Sequence, residues 1–302
     1  MITYDIVKKN AKLLLTLTGF LPPEFEIFLI GFEKAWNDYI TKTHVAGKNR
    51  KRKYGGGRNP TLNKTEDKLL FILIYMKLYP LQAVIGFLFG MGQSQANEWV
   101  HKLSGVLKTA LADMGQLPER APENLKNFLT DDGADDIIID ATERRRQRPK
   151  DNEKQKLFFS GKKKSHTVKN NLIVSPEDRK VKYLSGTCEG KKHDKKICDE
   201  ENLTFPTGIT LGKDTGYQGY EPEGVITSQP RKKPRGGELT RFEKNQNSII
   251  SGTRIIVEHV ISGVKRCRIV KDIFRNTKEK YDDLVIEIAC GLHNFRTECR
   301  AS

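Results

Sequence analysis

Up to about residue 118 the apolar residues of this chain recur at helical spacing; from about residue 132 they come in short β-branched runs. That switch calls for two differently built parts: a helical region, then a mixed α/β sheet and not a barrel or sandwich. In the first part, KKNAKLLLTLTGF and EFEIFLIGFEKAWNDYI predict helices within residues 1–46, with a break at Pro22-Pro23. GKNRKRKYGGGRNP, residues 47–60, reads as a basic glycine-rich linker whose cations, Arg50, Lys51, Arg52 and Lys53 among them, suit phosphate contact.

Residues 61–118 carry three further helical patterns. TLNKTEDKLLFILIYMKLY is strongly apolar, a second helix is expected from Pro80, and Gly90-Met91-Gly92 makes a turn before SQANEWVHKLSGVLKTAL. Ser94 is the expected N-cap of that last helix. Helix, glycine turn and polar-fronted helix outline a helix-turn-helix, in which the early residues of the last helix meet base edges. Here those are Gln93, Ser94, Gln95 and Asn97, all hydrogen-bonding types. A plain three-helix bundle is the competing reading.

In the second part, residues 132–302, Ile137-Ile138-Ile139 reads as a buried strand with Asp140 at its carboxyl end, where α/β folds place their sites. KLFFSGKKKSHTVKNNLIVSP and KVKYLSGTCEGKK follow as strands, then HDKKICDEENL as a helix. Ile209-Thr210-Leu211 forms another short strand that ends near Asp214, which leads into the turn Asp-Thr-Gly-Tyr-Gln-Gly. If the two strands are neighbours, two carboxylates sit side by side, an arrangement that a divalent metal resolves. A long helix is expected from about Thr240, with Thr240 and Glu243 as a capping box. On it Arg254, Glu258 and Lys265 lie within roughly 40° of one another, beside an apolar face of Val257, Val260, Ile261 and Val264. Glu258 can complete a shell with Asp140 and Asp214. Three hard oxygen ligands suit Mg²⁺ or Mn²⁺, and two such ions activate a water or a 3′-hydroxyl at a phosphodiester.

Charge supports a polyanionic partner. Fifty-three Lys and Arg against 38 Asp and Glu leave a net charge of +15. Lys162, Lys163 and Lys164 form one cluster, Arg144, Arg145, Arg146 and Arg148 a second, and Arg231, Lys232, Lys233 and Arg235 a third. Each is suited to a DNA backbone. Glu143 is expected to pair with the nearby arginines. The five cysteines include no Cys-x-x-Cys pair, which points to a reducing cytoplasm, and no apolar run reaches the roughly 18 residues of a membrane span. The N-terminal stretch lacks the layout of a secretory signal.

DATERRRQRPKDNEKQKLFFSGKKKSHTVKNNLIVSP, KDTGYQG and RIIVEHVISGVKRCRIV together resemble the bacterial insertion-sequence DDE transposases, over about residues 60–295. The resemblance implies an RNase H-like catalytic domain preceded by a helix-turn-helix. It maps the family's acids onto Asp140, Asp214 and Glu258, and its Arg-Glu-Lys helix signature onto Arg254, Glu258 and Lys265. It also implies double-stranded DNA as partner and at least a homodimer when two ends are brought together. Ser251 stands where related signatures often carry Tyr, and the short interval from Asp214 to Glu258 leaves out the large β insertion of some relatives. Competing functions are a transposase-derived DNA-binding protein without nuclease activity and an RNase H-like nuclease.

Overall fold

The computed structural model describes residues 1–46, 60–234 and 236–301. The chain forms two compact units: Met1–Leu117 with Arg266–Ile269 and Leu284–Leu292, and Pro118–Lys265 with Val270–Asp283 and His293–Ser302.

The first unit is helical. Its elements are α1 (Tyr4–Val7), α2 (Ala11–Thr18), α3 (Pro22–Ile40), α4 (Thr65–Leu78), α5 (Gln82–Leu88) and α6 (Gln93–Asp113). Pro22 starts α3 because its missing N–H falls where no intrahelical bond is due. α4 buries every residue from Lys68 to Met76, as an all-round apolar helix must, against α2, α3 and α6. Lys68 is tolerated there because its ammonium donates to the Asn63 carbonyl at 2.5 Å and sits over the Trp36 ring. Burial still pushes its pKa down to about 8. No single helix among the described residues is long and apolar enough to cross a membrane. α5, the Gly90–Gly92 turn and α6 form the anticipated helix-turn-helix outline, and Gly86 lets the turn approach: a Cβ there would lie 2.7 Å from the Met91 carbonyl oxygen.

The second unit is an RNase H-like mixed sheet flanked by helices. α7 (Leu125–Asp132) leads to β1 (Asp136–Arg145), then α8 (Asn152–Phe158), β2 (Phe159–Ser160), β3 (Ser165–Val174), β4 (Val181–Leu184), β5 (Cys188–Glu189) and α9 (Asp194–Glu201). β6 (Thr210–Lys213), β7 (Ile226–Ser228), α10 (Arg241–Val264), α11 (Arg268–Lys271) and α12 (Tyr281–Ala301) complete the chain. β3 runs antiparallel to β1 and carries β2, β4 and β5 on its outer side; β6 and β7 add on the other side in parallel. Strand residues alternate between faces. Ile137, Ile139, Ile173 and Leu211 pack with Leu125 and Leu129 of α7 and Cys198 of α9. Ile138 turns the other way, and α10 lies along β1 and β6 with Val257, Val260 and Val264 buried. Among the described residues β7 is the one strand between Asp214 and Glu258.

Two expectations need correction. β1 does not end at Asp140: it continues to Arg145, because β3 pairs with it as far as Arg145↔Thr167. Ser94 does not cap α6; Gly92 is the N-cap, and the helix already begins at Gln93.

Candidate active site

Asp140 and Asp214 owe their proximity to strand register. β1 and β6 pair in parallel as Ile137↔Leu211, Ile138↔Gly212 and Ile139↔Lys213, so Asp140 and Asp214 are the next two residues of that alignment. Asp140 is mid-strand with respect to β3, where it faces Leu172, but lies just past the end of the β6 pairing. Both side chains are half-buried. One carboxylate oxygen of Asp140 accepts from the Ala141 amide at 2.7 Å. One of Asp214 accepts from the Thr215 amide at 2.6 Å and caps a 3₁₀ turn, Thr215–Tyr217.

The turn after Asp214 is pinned by groups that motif reading passes over. Tyr217 donates its hydroxyl to Asn171 Oδ1 at 3.0 Å, and Asn171 Nδ2 donates to the Asp194 carbonyl at 3.1 Å, which ties the turn to β3 and α9. Burial above all, then Cys198 and the Asp140, Asp194 and Asp214 carboxylates, raises the Tyr217 pKa far above its ordinary value, so Tyr217 remains a neutral donor. Gln229 donates to the Asp214 carbonyl at 2.7 Å. Lys213, whose side chain is 0% exposed, donates to the Tyr220 carbonyl and reaches Glu221 Oε1 at 2.6 Å. A lysine two residues after the buried Leu211 and the Asn170-Asn171 pair in KNNLIV are the available signals, because buried polar groups require partners.

Glu258 lies on α10, the helix that contacts β1 and β6, and its side chain is exposed. The capping box expected at Thr240 and Glu243 starts that helix, with both reciprocal bonds made. Among the described residues no three His, Cys, Asp or Glu side chains are close enough together to hold a metal ion. Asp140 and Asp214 suit a divalent cation by donor chemistry and by the strand register, but Asp140, Asp214 and Glu258 are not gathered into one three-carboxylate group in this conformation. Lys265, at the C-terminal end of α10, is half-buried. Its pKa is lowered, first by burial, then by Lys163 and Arg144, with Asp140 and Glu143 opposing. The side chain of Arg254 lies outside the described residues, as do Arg50, Lys51, Arg52, Lys53 and Arg235.

The cation clusters divide on burial. Lys162, Lys163 and Lys164 are exposed on the turn between β2 and β3. Arg144 is 2% exposed, and its guanidinium donates to the Asp282 carbonyl at 3.0 Å and to Asn170 Oδ1 at 2.8 Å. It serves the interior and does not reach a DNA backbone. Arg146 stacks on Phe158 and pairs with Asp282 at 3.7 Å, while Arg145 and Arg148 are exposed. Glu143 accepts from the Thr167 hydroxyl at 2.6 Å, where an arginine was expected. Arg231 pairs with Glu243 at 2.9 Å; Lys232 and Lys233 are exposed. On α6, Gln93 and Ser94 are exposed, and Gln95 and Asn97 are half-buried, Gln95 with its amide 3.4 Å from the Thr61 hydroxyl. All five cysteines are free thiols.

Residues 139–294 match the model of the DDE superfamily endonuclease, and residues 60–113 match that of the helix-turn-helix of DDE superfamily endonuclease. The chain is 29% identical over 276 residues to the "Probable transposase for insertion sequence element IS702" of Microchaete diplosiphon, across 90% of this chain and 94% of that protein. No solved structure matches the chain.

Proposed function

The chain belongs to the DDE superfamily endonuclease family, as an insertion-sequence transposase with an N-terminal helix-turn-helix, and from that membership we propose that it binds the terminal inverted repeats of its own element, cuts phosphodiester bonds at the ends and joins them to target DNA. The observation that supports the reading is the parallel β1–β6 register, in which Asp140 and Asp214 are the two residues that follow the last pair, Ile139↔Lys213.

Asp140 and Asp214 are the carboxylates that would hold Mg²⁺ or Mn²⁺, and Glu258 of α10 is the third. A pair of such ions supplies Lewis-acid activation of the attacking oxygen and neutralises charge on the leaving one. The protein's own work is binding, orientation and charge. Asn171, Tyr217, Lys213 and Gln229 hold the Asp214 turn, so the carboxylate is fixed before DNA arrives. Lys265, within electrostatic reach of Asp140, offers a cation to the phosphate that enters, and Arg254, in the sequence of the same helix, is assigned a second phosphate contact. Lys162, Lys163 and Lys164 track the backbone that leads into the site. Gln93, Ser94, Gln95 and Asn97 read base edges, while Arg50, Lys51, Arg52 and Lys53 add phosphate contacts between residues 1–46 and 61–118. Residues 132–302 act as the catalytic domain, and bringing two ends together calls for at least two copies of the chain. No covalent protein–DNA intermediate is needed, since water and then a 3′-hydroxyl are the nucleophiles.

The test is cleavage of a linear fragment that carries the element's end. The expected result is strand cleavage at the end in Mg²⁺ or Mn²⁺ and none in EDTA. Binding of the end without cleavage in either metal would leave a DNA-binding protein, and preference for an RNA–DNA hybrid would leave a nuclease of another kind.

A further inference from the structure

β2 and β3 form a short hairpin whose strands pair as Phe159↔His166 and Ser160↔Ser165. Residues 161–164 between them are Gly-Lys-Lys-Lys, all exposed. Lys163 N donates to Ser160 Oγ at 3.3 Å, and Lys164 closes the turn at φ +47°. Adjacent phenylalanines have different fates here. Phe158 lies under the Arg146 guanidinium, its centroid 4.3 Å from the guanidinium carbon. Phe159 is 44% exposed, with the His166 ring set edge-on at 5.7 Å. That contact uses part of the Phe159 surface and leaves the rest to solvent, beside a run of lysines.

The hairpin stands at the other end of β3 from Asp140: Phe159 pairs with His166, whereas Asp140 pairs with Leu172, about 20 Å further along the strand. The Lys265 ammonium links the two regions, since Lys163 lowers its pKa and Asp140 raises it, so each of those charges is within electrostatic reach of Lys265. A nucleic-acid strand drawn along Lys162–Lys164 toward Asp140 passes an open aromatic ring. Duplex bases present only their edges, whereas an unstacked base presents a π-face that any aromatic ring can cover. Three consecutive lysines favour a polyanion over an apolar protein surface as the occupant.

We propose that Phe159, buttressed by His166, is a stacking platform for an unpaired nucleobase of the strand being processed, and that Lys162–Lys164 hold the phosphates on either side of that base. This rests on the reading of Asp140 and its neighbours as a DNA-processing centre, but base stacking can be measured without cleavage.

The probe is an oligothymidylate of about 15 nucleotides that carries one 2-aminopurine, offered to the full chain in EDTA as a single strand and as its duplex. The unaltered protein is expected to quench 2-aminopurine in the single strand. Phe159→Ala should weaken single-strand binding roughly tenfold and abolish quenching, with the salt dependence unchanged. Phe159→Trp should retain both properties and Phe159→Leu should lose both, which separates stacking from a merely apolar contact. Affinity for the duplex should change less than about twofold in all three variants. Because Phe159 is exposed, each variant should keep the far-UV spectrum of the parent. The proposal is overturned if Phe159→Ala binds and quenches as the parent does, or if Phe159→Leu behaves like Phe159→Trp. The Asp140→Asn protein should quench normally; if quenching persists while no variant ever cleaves DNA, the stacking site stands and the transposase reading alone falls.

Discussion

Asp140→Asn and Asp214→Asn proteins are expected to bind end DNA as tightly as the parent and to cut it at least about a thousandfold more slowly. The substitution is chosen to leave the fold alone. In each acid one oxygen accepts from the next backbone amide, Ala141 or Thr215, and an asparagine carbonyl oxygen accepts the same bond. The lost property is charge: an amide is a poor ligand for a hard divalent cation, so the stabilisation of the reacting phosphate goes with it. Thermal unfolding supplies a control. Two adjacent carboxylates repel without metal, so in EDTA each variant should melt at or slightly above the parent temperature. Added Mn²⁺ should raise the parent's melting temperature and leave the variants where they were. Cleavage at the parental rate by both variants would remove these residues from the reaction.

Lys213→Ala is expected to destabilise the second unit by about 3 kcal/mol, through a lysine-sized cavity and an orphaned carbonyl at Tyr220. Lys213 is an unusual strand residue: its side chain is 0% exposed, yet its partner Glu221 is 60% exposed. Because Glu221 is well hydrated on its own, Glu221→Gln should cost less than about 1 kcal/mol. The asymmetry distinguishes a buried tether from a simple ion pair. The tether spans Lys213 to Glu221 across the turn that begins with Asp214, so Lys213→Ala should also slow cleavage at temperatures where the protein is still folded. Urea titration of the three proteins checks the stability claim; equal midpoints for parent and Lys213→Ala, or equal losses in both variants, would contradict it.

Most helices and the second unit's class were legible because burial follows periodicity. Ile137–Ile139, Val257, Val260 and Val264 are buried as their spacing predicts. What escaped was polar matter in apolar places. β1 reads as ending at Asp140 because Thr142 and Arg144 break the apolar run, yet both are buried, and only the antiparallel partner β3 extends the strand. The same fact misdirected the charge reading: Arg144 counts as a surface cation in composition but is spent on Asp282 and Asn170. α8 buries no residue, so it has no apolar stripe to announce it, only the cap that Asp151 provides. At the site, the acids stand out by motif, while the tethers Asn171 and Lys213 become visible only when their tertiary partners are known.

The claim on which the rest depends is that Asp140, Asp214 and Glu258 share divalent ions. A crystal of the full chain grown with Mn²⁺ and DNA tests it by anomalous scattering. The expected result is manganese about 2.0–2.2 Å from carboxylate oxygens of Asp140 and Asp214, with Glu258 drawn into the same shell. Manganese bound elsewhere, with these carboxylates apart and facing solvent, would contradict it.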